Sequence, residues 1–144
     1  MAVLFDTLEV NPPKLQRRKI KQWIARTISE FRKQTGEITY IFCSDSEILR
    51  INNQYLEHDY YTDIITFDYS ECDTVSGDLF ISLDTVKSNA ENFGTAFDDE
   101  LCRVMIHGIL HLCGLDDKTP KEQSEMRENE NRALQKLTEL VICQ

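Results

Sequence analysis

With 144 residues, 41% hydrophobic and 28% charged, and only five glycines and three prolines, the chain fits one packed globular domain and excludes fibrous and disordered classes. Its net charge of −9 argues against a protein that coats nucleic acid through its overall field. Five scattered cysteines (Cys43, Cys72, Cys102, Cys113, Cys143) form no C-x-x-C pair, which excludes a zinc ribbon and a disulfide framework and leaves inert thiols.

In chain order, Ala2 to Phe5 reads as a short edge strand. The opening Met-Ala-Val-Leu-Phe-Asp has no basic leader and too short an apolar run for a signal peptide, and no later stretch reaches membrane-spanning length. A cytoplasmic protein without membrane contact is expected. Asn11-Pro12-Pro13 supplies an N-cap and a proline at the first helical position, after which Ile20, Trp23, Ile24, Thr27, Ile28 and Phe31 recur at helical spacing as far as Gly36. Residues 14 to 33 hold eight basic residues against one acid, Glu30. This basic helix, with Arg17, Arg18 and Lys21, reads either as a solvated face or as a surface for RNA.

Glu37 to Cys43 is rich in β-branched and aromatic residues and predicts a strand. Ser44-x-x-Glu47 is a capping box that opens a helix to about Tyr55. Strands follow at Asp63 to Tyr69 and Gly77 to Leu83, the second apolar enough to be central. Asp84 is suited to cap a helix to about Phe93, and Thr95-x-x-Asp98 another over about 97 to 113, where Asp98, Asp99 and Glu100 meet the positive end of the dipole. That helix is apolar on all sides except at Arg103, His107 and His111, so it is expected to be buried. Gly114 suits its left-handed end, and Thr119-Pro120-x-Glu122 is a capping box that opens a charged final helix towards Leu140.

His107 and His111 stand one helical turn apart, so both rings reach a common point. The turn at Gly114 swings the chain back, which makes Asp116 and Asp117 the candidates for a third group. Two imidazoles and a carboxylate form a divalent-metal set with room for water, whose pKa such an ion lowers from about 15.7 to near 7. The competing reading makes the histidines core residues that donate to backbone carbonyls. Because Gly108 follows His107, the pattern is H-G-x-x-H and lacks the glutamate base of the H-E-x-x-H proteases. Gly108 also suits close packing of the helix against a sheet.

His107-Gly-Ile-Leu-His111-Leu-Cys-Gly114-Leu-Asp116-Asp117 resembles the H-G-x-L-H-L-x-G-Y-D-H signature of the YbeY family of metal-dependent endoribonucleases in ribosomal RNA maturation. Thr62-Asp-Ile-Ile-Thr-Phe67 is similar to that family's T-D-V-L-S-F, and Gly77-Asp-Leu-Phe-Ile-Ser82 to its G-D-I-x-I-S, all in the expected order. The resemblance implies an α+β fold: a single domain over residues 1–144 with a small mixed β-sheet packed with helices and a buried metal-binding helix. It implies ligands at His107, His111 and position 117, one zinc ion, an RNA substrate and ribosome-associated partners. Asp63, Asp78 and Asp116 become supporting groups, with Asp78 read chiefly as structural.

Two departures stand out. The family's third histidine is Asp117 here, which keeps a metal ligand but cancels one unit of the ion's charge, so weaker hydrolysis at neutral pH or a shift towards iron, nickel or manganese is expected. The family's Y-R pair, whose arginine clamps phosphate, reads Tyr55-Leu56, which leaves His58 or the basic helix to replace it. Two other classes stay in view: a ribosome-contacting binding factor with a structural metal, and a hydrolase of small esters or amides.

Overall fold

The structure, a computed structural model, describes residues 2–56 and 62–140, with backbone alone for residues 55 and 56. Its elements run β1 (Ala2–Thr7), α1 (Arg17–Glu30), β2 (Gln34–Cys43), α2 (Asp45–Leu56), β3 (Ile64–Asp68), β4 (Thr74–Ser82), α3 (Leu83–Phe93), α4 (Phe97–Leu112) and α5 (Pro120–Glu139). The four strands lie in the order β1-β2-β4-β3. β1, β2 and β4 are parallel, and β3 closes one edge antiparallel to β4. The sheet is therefore mixed, with β1 at an edge and β4 inside, as the apolar patterns of these segments require. Fold class and architecture are those the sequence implies: one small α+β domain.

Alternation along the strands sends side chains to two faces. Ile38, Tyr40 and Phe42 of β2 and Leu79 and Ile81 of β4 meet Trp23, Ile24 and Ile28 of α1 and Leu101, Met105 and Ile109 of α4 in the main core. On the other face α2 covers a smaller cluster of Cys43, Ile48, Ile51 and Ile65. Polar atoms within the core are satisfied by backbone: Tyr40 donates to the Met105 carbonyl at 2.9 Å, and Trp23 Nε1 donates to the Ala133 carbonyl at 2.7 Å, which fastens α1 to α5.

Three predicted helix starts are corrected. Helix α1 begins at Arg17, not after Asn11, because each residue before a proline is pushed out of the helical region and two prolines stand in a row. It ends at Glu30 rather than near Gly36, with Arg32 in the left-handed region (φ 60°). Gly36 instead lies in β2, where a Cβ would collide with Ser76 and Thr74 of β4. Helix α3 is capped by Ser82, whose hydroxyl accepts from Thr85 N at 3.2 Å, while Asp84 accepts from the backbone N–H of Asp45. Helix α4 has Ala96 at its N-cap without a side-chain bond, so Thr95 plays no part.

The signals at the starts of α2 and α5 and at the end of α4 hold. Ser44 accepts from Glu47 N at the start of α2, and α5 opens with the full Thr119/Glu122 capping box and Pro120 in its first turn. Gly114 takes φ 108°, and Leu115 N reaches back to the Leu110 carbonyl at 3.0 Å, which closes α4. Gly108 packs where a Cβ would collide with Leu79 of β4 and Ile64 of β3, so its hydrogen side chain lets α4 lie directly on the sheet.

Candidate metal centre

Helix α4 carries His107 and His111 on successive turns, and the short connection after Gly114 brings Asp117 back beside them. His107 Nε2 lies 3.0 Å from His111 Nε2, and Asp117 Oδ2 lies 3.3 Å and 3.5 Å from the two nitrogens. The rings meet edge to face, with centroids 4.6 Å apart.

The bonds on the far side of each ring decide what this triangle wants. His111 Nδ1 is 2.8 Å from the Leu115 carbonyl, which has only lone pairs, so Nδ1 carries the proton. His107 Nδ1 is 2.7 Å from Glu130 Oε2. Burial alone would raise the pKa of Glu130, but its hydrogen bonds and charge contacts with His107 and Arg103 outweigh that and lower it, so the carboxylate is an acceptor as well. With Nδ1 so engaged, the neutral form of each ring turns a bare Nε2 lone pair towards the other ring and towards the Asp117 carboxylate. Three acceptors facing one another without a donor repel unless a proton or a cation sits between them. Edges of 3.0, 3.3 and 3.5 Å are short enough for one zinc-sized ion to reach all three atoms at once. The donor set fits a divalent transition metal on its geometry and its tautomers alike.

The core-histidine reading is half true: His111 does donate to a backbone carbonyl, and that bond aims its other nitrogen at the site. Burial opposes a charge on His107, yet the bond and charge of Glu130, with Asp117 and Asp63 nearby, raise its pKa overall.

Glu130 is the residue that sequence reasoning missed. It is 6% exposed on α5 and also accepts from Arg103 Nη1 at 2.8 Å, while Arg103 Nη2 donates to Asn131 at 2.8 Å. The signal was available in its position, because Met126, Glu130, Ala133 and Leu137 form the inward stripe of α5, and an acid on that stripe needs a buried partner.

Two cavities flank the triangle. One, of about 280 Å³, lies between α3, α4 and α5; the other, of about 530 Å³, runs along β3 past Thr62, Ile64 and Thr66. Asp63, His107 and Asp117 border both. Burial raises the pKa of Asp63, against His107 and the hydrogen bonds from Thr62 and the local backbone, which lower it.

The other sequence candidates lie elsewhere. Asp116 is exposed and borders neither cavity. Asp78 bonds the phenol of Tyr69. Arg17, Arg18 and Lys21 are exposed on α1, with Arg17 and Lys21 over the Phe5 ring at 5.7 and 5.9 Å, and none borders either cavity. His58 and Cys143 fall outside the described residues, as does the side chain of Leu56. Cys43, Cys102 and Cys113 are free thiols whose pKa burial pushes up to about 12, 11 and 11, in keeping with inert sulfur.

Fold and site together define a class: small α+β domains that carry a His-x-x-x-His pair on a buried helix and a carboxylate in the connection that follows it, arranged in a way that fits a divalent cation. Comparison with known proteins makes the class particular. The family model described as "Endoribonuclease YbeY" matches residues 7–138. A Bacteroides thetaiotaomicron protein named Endoribonuclease YbeY is 59% identical over 134 residues, covering 93% of this chain and 98% of its own length. A Parabacteroides distasonis protein of the same name is 55% identical over 139 residues, covering 96% and 98%. The solution structure of TM1509 from Thermotoga maritima superposes with a TM-score of 0.66 at 25% identity, covering 94% of this chain and 89% of that one. The chain belongs to the YbeY family.

Proposed function

We propose that this chain is a metal-dependent, single-strand-specific endoribonuclease of ribosomal RNA maturation that holds one zinc ion through His107, His111 and Asp117. Residues 1–144 act as one YbeY-like hydrolase domain, in the cytoplasm, on RNA and alongside ribosome-associated proteins. The observation that carries the reading is the convergence of His107 Nε2, His111 Nε2 and Asp117 Oδ2 beside two cavities. The printed names of the relatives support the substrate class. A carboxylate in place of a third imidazole makes the set harder, so iron, nickel or manganese compete with zinc more effectively than at three histidines.

Bound there, a divalent cation supplies Lewis-acid activation of water and of a phosphoryl oxygen. The chain's own part is orientation and proton handling. Glu130 and the Leu115 carbonyl lock the two rings, so neither turns as substrate arrives. Asp63 borders both cavities, and its carboxylate oxygen takes up the proton that the attacking hydroxyl releases.

A binding factor with a structural metal would need a closed, four-ligand site; the flanking cavities and the 40% exposure of the Asp117 side chain favour an open one. The deciding test measures bound metal and cleavage of single-stranded RNA in the purified protein and in Asp117→Ala. Stoichiometric metal and cleavage, both lost in the variant, are expected. Metal retained in Asp117→Ala would remove that ligand, and a metal-loaded wild type that cuts no RNA would overturn the nuclease reading.

A further inference from the structure

Helices α3 and α5 face each other across the smaller cavity with matched pairs of side chains. Asn89 and Phe93 stand one turn apart on α3, and Gln123 and Arg127 one turn apart on α5. The floor between them is Val104 and His107 of α4, so the cavity ends at the proposed metal point. Phe93 is 65% exposed, unusual for a large aromatic ring beside a polar site. Among the cavity's two arginines, Arg103 is committed to Glu130 and Asn131, whereas Arg127 is 61% exposed and only touches Glu130 at 4.0 Å, which leaves its planar fork free.

These four groups match the chemistry of one nucleotide: a ring to stack a base, a guanidinium for a phosphate, and two amides that donate and accept at a base edge or a ribose hydroxyl. The volume of about 280 Å³ suits a single small ligand rather than a longer stretch of strand. A peptide fits less well: the walls also hold the carboxylates of Asp63, Glu100, Asp117 and Glu130, which a divalent cation offsets for a phosphodiester but which give a neutral backbone no advantage. We infer that this cavity is a nucleotide subsite, in which a base of single-stranded RNA stacks on Phe93 and the adjoining phosphate binds Arg127, so that the next phosphate along the strand is delivered to the metal. The inference rests on the nuclease reading and specifies how that site grips its substrate.

Binding is the readout, so that cleavage need not be assumed. The zinc-loaded full chain is titrated into a fluorescein-labelled, cleavage-resistant phosphorothioate single-stranded RNA hexamer and into the same strand with abasic sugars, and anisotropy is followed over a range of salt. Wild type should prefer the intact strand by about fivefold or more. Phe93→Ala should bring the two affinities together, and Phe93→Trp should restore the preference. Arg127→Gln should weaken both strands and reduce the slope of log K against log salt by about one. Unfolding temperature and zinc content guard against a folding defect. If Phe93→Ala and Arg127→Gln bind as wild type does, or wild type ignores the missing bases, the subsite is wrong even when the zinc-loaded protein cleaves RNA. If zinc-loaded wild type neither binds nor cleaves RNA, the nuclease reading itself fails and the subsite with it.

Discussion

Glu130 accepts a hydrogen bond from His107 Nδ1 at 2.7 Å, across 23 residues of chain, and this contact joins the buried helix that carries the two imidazoles to the charged helix that follows. A carboxylate behind a metal-bound imidazole fixes its tautomer and strengthens it as a ligand.

Glu130→Gln should therefore keep the packing yet weaken zinc binding by about 10- to 100-fold, read by competition with a chromogenic chelator. Glu130→Ala should add a loss of stability of roughly 3 kcal/mol or more, because Arg103 is left without its carboxylate in a half-buried setting. Unchanged zinc affinity in both variants would mean that the contact is structural alone.

Asp117→His should retain the metal and move the acid limb of the pH–rate profile to lower pH, since a neutral third ligand leaves more of the ion's charge on its remaining partners. An unshifted limb would show that the activity does not depend on the charge at position 117.

The metal-free protein should be most stable between about pH 4.5 and 6.5. Glu130 has a folded pKa lowered below its usual 4.5, so its contribution is present above that value and is lost as pH falls through the folded pKa. His107 has a folded pKa raised above 6.5, so its contribution is present below that value and is lost as pH rises through the folded pKa. The raised carboxyls of Asp63 and Glu100, disfavoured as anions by burial, also cost stability as pH rises. Thermal unfolding in EDTA across pH checks this, and His107→Gln should flatten the limb above pH 6.5.

Gly108→Ala tests how tightly α4 is seated. The added methyl would overlap Leu79 and Ile64 side chains, an overpacking worth about 1–3 kcal/mol, and should lower the unfolding temperature by several degrees. Because its neighbour is His107, zinc affinity should fall as well. A neutral effect on both would mean that the helix lifts off the sheet freely.

The parts of the fold that were legible in the sequence rest on local chemistry. The spacing of His107 and His111, the glycines at 108 and 114, and the Thr119/Glu122 box each state their geometry within a few residues. Caps at Asn11, Asp84 and Thr95 were misplaced because neighbouring residues competed: consecutive prolines at 12 and 13, and Ser82, whose hydroxyl also bonds Asp45 at 2.5 Å. The strand order β1-β2-β4-β3 depends on pairings between segments far apart in the chain, which no local pattern encodes. Glu130 escaped because acids are common along α5, and only the burial of this one sets it apart. Phe93 and Arg127 lie on different helices, α3 and α5, and only the fold brings them to one cavity.

The helix α5 capping residue Thr119 follows Asp117 by two positions, and Glu130 lies within that helix, so a cation at the triangle is gripped from α4 on one side and from the α5 segment on the other. Loss of such an ion would remove one tie between α4 and the segment that leads into the 20-residue helix α5. Amide hydrogens along α5 are expected to exchange faster in the metal-free protein than in the metal-loaded one, which would make this 20-residue helix a gauge of occupancy.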